Sequence, residues 1–213
     1  MIKNNSYKLH QMIQRRLLTK LFHLQIYILI ILPIAVVHAQ DGTYELKNKN
    51  GSYCLISMIK NQNIMTAEIF TWWNTPSAQT GSYYGQGVMI NNRVVLKSSE
   101  NDPDCTVKIS QMNYTITATF EKCMTDHLTE DFNGTYRKIS DATVGDYIVK
   151  VDRSFFHFKP DEYSREKLYL IKGDTVSYNL DSGAIGNWVF VHYRNKSGKN
   201  TSGYIKLNDL KKL

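Results

Sequence analysis

Between residues 114 and 120 the chain alternates strictly: Tyr114, Ile116, Ala118 and Phe120 are apolar or aromatic, and Thr115, Thr117 and Thr119 separate them. A period of two marks a strand with one buried face and one wet face. Short runs rich in Val, Ile, Thr and Tyr recur at 66–73, 87–90, 94–97 and 106–110. Turn chemistry divides them. Asn50-Gly51, Asn91-Asn92 and Met112-Asn113 place residues that tolerate positive φ where hairpins must reverse. After Gln40 no stretch has the 3.6-residue period of an amphipathic helix. The pattern predicts an all-β protein.

A second set of strands follows. Residues 147–151 open it, and Lys172-Gly173-Asp174 forms a turn after 169–171. Residues 175–180 place Val176, Tyr178 and Leu180 on one face, and 188–193 and 203–205 complete the set. Five short strands predict a small barrel, because closure removes sticky edges. Gly42-Thr43-Tyr44 near the start of the first set is echoed by Gly134-Thr135-Tyr136 near its end. Either its first and last strands meet, closing a small barrel or sandwich over 40–138, or the triplet recurs by chance in a chain of few residue types. The polar stretch 137–146 is expected to be a linker. The organisation is therefore 1–39 as a leader, 40–138 as a small β-barrel or sandwich, and 147–213 as a second barrel.

The leader changes how charge is read. The chain carries a formal +7, but Lys3, Lys8, Arg15, Arg16 and Lys20 all fall in residues 1–39, which hold no acid. The remainder is close to neutral, with 21 basic and 19 acidic residues, and no basic stripe is left to track a phosphate backbone. Nucleic acid is excluded as a partner. Arg15, Arg16 and Lys20 precede an apolar run broken by Pro33, and Val37-His38-Ala39 ends it. This is the order of a secretory signal peptide, with cleavage expected before Gln40 and Met12 as an alternative start. The run is short for a membrane span, so no stable insertion is expected after cleavage. The expected location is periplasmic or secreted.

Exported proteins keep disulfides. Cys54, Cys105 and Cys123 are odd in number, so one thiol must be left over. Cys105 and Cys123 flank a predicted hairpin and are the preferred pair; three reduced, buried cysteines are the alternative. Cys123, Asp126 and His127 lie close in sequence, yet a nucleophile–base pair needs an orienting group and an oxyanion site that adjacency does not supply. Asp161-Glu162 and Glu130-Asp131 sit in polar loops where solvated turns are the default. No enzyme and no cofactor are expected.

The second set also carries a likeness. Lys172-Gly173-Asp174 with Thr175-Val176, then Asn187-Trp188-Val189-Phe190-Val191, then Gly203-Tyr204-Ile205-Lys206 with Asp209-Leu210, resembles a bacterial SH3-like domain in order and spacing. The resemblance implies a five-stranded barrel with a ligand groove bordered by aromatic residues. Phe156, Phe158, Tyr178, Trp188 and Tyr204 are the candidate ligand contacts, and peptidoglycan peptide or an exported protein is the expected partner. The chain departs from that family where Phe155-Phe156-His157-Phe158-Lys159-Pro160 replaces a usual Leu-Asn-Val-Arg-Ser-Gly-Pro-like stretch, which alters the groove. The first set, with Gly42, Tyr44, Cys123, Phe132, Gly134 and Tyr136, is loosely similar to lysozyme-inhibitor-like proteins. That similarity implies an alternative role as an inhibitor or immunity protein against a peptidoglycan-degrading enzyme, with 73–85 as the protruding loop.

Overall fold

The computed structural model describes residues 41–213. The expected leader and its cleavage site lie outside the described residues. Every regular element longer than one helical turn among those residues is a strand.

The first eight strands form a closed antiparallel meander: β1 (Gly42–Lys47), β2 (Tyr53–Asn61), β3 (Ile64–Trp72), β4 (Thr80–Val88), β5 (Arg93–Lys97), β6 (Thr106–Met112), β7 (Thr115–Glu121) and β8 (Gly134–Ser140). The Gly-Thr-Tyr echo does mark the closing pair. β1 meets β8, with Tyr44 opposite Lys138 and Glu45 opposite Arg137. Asn91 and Asn92 adopt φ of 50° and 60°, and Asn113 adopts 54°, as the expected hairpin turns require. The alternation in β7 holds: Ile116, Ala118 and Phe120 face the interior, while Tyr114 lies in the turn and is exposed. The barrel holds no lumen, because Tyr44, Tyr83, Tyr136, Phe132, Ile56, Met58 and Met65 fill it.

The second set is a curled sheet of eight strands rather than five. Its members are β9 (Gly145–Val149), β10 (Arg153–His157), β11 (Arg165–Ile171), β12 (Thr175–Tyr178), β13 (Ala184–Ile185), β14 (Trp188–Arg194), β15 (Asn200–Lys206) and β16 (Leu210–Lys212). The order is β11-β10-β15-β14-β12-β9-β16, with β13 paired to β14. The additional strands are β10, which the phenylalanine-rich stretch builds, and the short β13 and β16. Val149, Phe156, Leu170, Val176, Tyr178, Val189, Val191 and Ile205 form its core.

No flexible linker joins the two sheets. β8 runs to Ser140 and β9 begins at Gly145. Ala142 and Thr143 between them are buried. Hydrogen bonds sew this segment to both sides. Thr43 Oγ1 donates to the Ala142 carbonyl at 2.7 Å, the Val144 amide donates to Ser57 Oγ at 2.9 Å, and Ser140 Oγ donates to the Gly186 carbonyl at 2.8 Å. The short 3-10 turn Leu180–Ser182 lies against β2 and β3. The outward residues Leu55 and Ser57 of β2 are buried, although the inward set is Cys54, Ile56 and Met58. The segment is polar in sequence yet no linker, because its polar groups are satisfied by partners far away in the chain.

Lys212 completes the seam. Its Nζ donates to Thr143 Oγ1 at 2.7 Å, to the Thr143 carbonyl at 3.1 Å and to the Val144 carbonyl, and lies 5.3 Å from the Tyr147 ring centroid. Burial pushes its ammonium below the ordinary lysine range, opposed by Asp41, Asp146 and Glu68. Lys212→Met keeps most of the stem but orphans those acceptors, so a loss of about 1–3 kcal/mol is expected in urea unfolding. An unchanged midpoint would show that water replaces the ammonium there.

Candidate functional site

β14 and β15 pair in full register, from Trp188 opposite Lys206 to Arg194 opposite Asn200. Side chains alternate across a strand. Val189, Val191, Gly203 and Ile205 face the core, so Trp188, Phe190, His192 and Arg194 share the other face with Lys206, Tyr204, Ser202 and Asn200. This face is aromatic at one end and polar at the other. Phe190 meets Tyr204 edge-on at 5.1 Å between centroids and His192 at 5.6 Å. Lys206 Nζ lies 5.7 Å from the Trp188 centroid and 2.7 Å from Glu162 Oε1.

β10 extends the face sideways, because His157 registers with Tyr204. The His157 ring contacts Trp188 at 4.5 Å, and its Nδ1 lies 2.8 Å from the Asp161 carbonyl oxygen. Asp161 in turn caps the loop, accepting from the amides of Tyr163 and Ser164. Its carboxylate thereby holds the loop in place. Farther out, the Phe155 ring packs at a tilt against Tyr169, 5.5 Å between centroids. The Arg165 guanidinium lies 4.3 Å from the Phe155 ring and that of Arg153 lies 5.0 Å from the Tyr169 ring. Among the described residues neither guanidinium has an ion-pair partner. Guanidinium over an aromatic face is a favourable and weakly hydrated arrangement.

The five expected contacts divide. Trp188 and Tyr204 stand half-exposed on this face. Phe158 is 74 % exposed in the loop after β10 and makes no ring contact with either. Phe156 and Tyr178 are corrections: they are 2 % and 0 % exposed and point into the core. Burial pushes the Tyr178 phenol up to about 12, and its hydroxyl lies 3.4 Å from Thr43 Oγ1 at the seam. Adjacent aromatics must face opposite ways along a strand, but the sequence does not say which faces out. Sequence reasoning missed Phe190, Phe155 and Tyr169. The i, i+2 spacing of Trp188, Phe190 and His192 was the available signal for the first.

The first barrel's candidates resolve otherwise. Cys105 and Cys123 form the expected disulfide. Cys123 therefore offers no thiolate beside His127. Cys54 is free and fully buried, and burial pushes its thiol up to about 12. The expected protruding loop shrinks to 73–79, since β4 begins at Thr80. Trp73 anchors its base, donating from Nε1 to the His127 carbonyl at 3.1 Å and packing edge-on to Phe132 at 4.9 Å. Among the described residues no helix is long and apolar enough to cross a membrane. No family model, no curated protein and no solved structure matches the chain.

Proposed function

We propose that this chain is an exported, non-catalytic binding protein that docks an extended cell-wall peptide along the outer face of β14 and β15. The observation that carries the reading is the half-exposed row of Trp188, Phe190 and Tyr204 on one rigid hairpin, flanked by the guanidiniums of Arg153 and Arg165. Ordered aromatics supply contact area at low entropic cost. Unpaired guanidiniums complement carboxylates, which cell-wall peptides carry. The resemblance to bacterial SH3-like domains supports the same ligand class. Export is supported by the leader pattern and by the disulfide, since such bonds persist in oxidising compartments.

Co-sedimentation of the full chain with purified peptidoglycan sacculi tests this. The protein should pellet, and Trp188→Ala should lower its affinity about tenfold or more, the scale of an aromatic hot spot, while remaining folded. A protein left in the supernatant at every sacculus concentration would sink the reading. A Trp188→Ala variant that pelleted as well as the parent would move the site elsewhere.

A further inference from the structure

β12 and β14 share one bridged pair, Ser177 with His192. Toward Thr175 and Arg194 the described pairing does not continue, and a cleft of about 430 Å³ opens. Its walls carry opposite charges. Asp146 stands on β9 opposite Ser177, and Arg194 stands on β14 beyond His192. One strand, β12, separates them. Thr175 and Ser177 of β12 stand between them, and Thr201 and Ser202 of β15 line the cleft beyond β14. Neither Asp146 nor Arg194 is in an ion pair among the described residues.

The rest of the cleft is already organised. His192 Nε2 lies 2.9 Å from Ser182 Oγ, which fixes the ring. The Arg194 guanidinium leans on the turn at Gly198, where a Cβ would lie 3.6 Å from Nη2. Gly198 has a φ of 84°, so the turn favours glycine there for its backbone as well. Lys212, whose ammonium feels the Asp146 charge, spends its hydrogen bonds on the Thr143 and Val144 acceptors.

We infer that this cleft binds the two charged ends of a short free peptide, ammonium toward Asp146 and carboxylate toward Arg194. A zwitterion needs two opposite charges held apart with hydrogen-bonding groups between, and this cleft supplies that set. It lies on the same strands as the aromatic row, with His192 touching both. A short peptide on this face would therefore hold its two charged ends in the cleft and reach its apolar side chains toward Phe190 and Trp188. This deepens the proposed peptide-binding reading and rests on it.

The test is an NMR titration of the full chain with alanylalanine and, separately, with its N-acetylated, C-amidated form. The free dipeptide should shift the amides of Ser177, His192, Arg194 and Ser202. The blocked form should bind about tenfold or more weakly, and so should the free dipeptide to Asp146→Asn or Arg194→Met. Equal binding of both forms, or shifts confined to the Trp188 end, would overturn the assignment. So would the absence of any shift. Both variants change exposed side chains, so folding should be retained, and unchanged amide spectra elsewhere would confirm it. Sacculus binding that depends on Trp188 would survive such a failure, which keeps the two readings separable.

Discussion

Phe156→Ala is expected to destabilise the protein by about 3–5 kcal/mol, while Phe158→Ala, two residues away, is expected to change stability by less than about 0.5 kcal/mol. Phe156 is 2 % exposed and lies in the core of the second sheet. Its ring packs where a side chain at Gly203 would otherwise sit, 3.1 Å from that Cβ position. Neighbours this close-packed collapse only partly around a deleted ring, so both transfer and cavity terms are lost. Phe158 is 74 % exposed and loses little. Parallel denaturant melts of the two variants decide the point. Comparable losses would mean that Phe158 is covered in solution by something the described residues do not include. The contrast also governs binding experiments: a Phe156 variant that failed to bind would report on folding, whereas Trp188→Ala reports on the face.

Removing the disulfide is expected to cost about 3 kcal/mol, the chain-entropy value for a loop of this size. Cys105 and Cys123 are 18 residues apart and close the open end of the β6–β7 hairpin, one residue before β6 and two after β7. Both sulfurs lie in the barrel core, where the residues are 0 % and 2 % exposed. For a protein of this size the loss corresponds to a fall in Tm of roughly 6–12 °C. Cys105→Ala with Cys123→Ala is the suitable variant, because alanine avoids placing a hydroxyl in an apolar site. Calorimetry of this variant beside the parent gives the answer. A shift below about 2 °C would mean that the hairpin's own ladder, from Thr106 opposite Glu121 to Met112 opposite Thr115, already holds the unfolded chain compact. Cys54 should remain the single titratable thiol in the denatured parent.

The turns were legible because their chemistry is local. Asn91-Asn92, Asn113 and Gly173 need nothing but their own φ to reverse the chain. The closure of the first barrel was legible only through a repeated triplet, and its register differs from a simple match of like residues, with Tyr44 opposite Lys138 instead of Tyr136. What stayed hidden depends on distant contacts. Residues 137–146 look polar, yet their groups are satisfied by Thr43, Ser57 and Lys212. Val176 and Tyr178 were placed on one strand face correctly, but only the folded sheet decides that this face is the core. The aromatic face itself was half legible: Trp188 and Tyr204 stood out, while Phe155 and Tyr169 meet only because β10 and β11 pair across a seven-residue excursion of loop and short turn whose path the sequence does not announce.

The buried junction has a consequence for modularity. With Ala142 and Thr143 enclosed and Leu55 and Ser57 covered, cutting the chain between the sheets would bare apolar and hydrogen-bonded surface on both halves. The second sheet is thus no portable cassette that can be spliced onto another protein with its behaviour intact. Its aromatic face is carried on the barrel as a blade is carried on a handle, fixed by the buried seam between them.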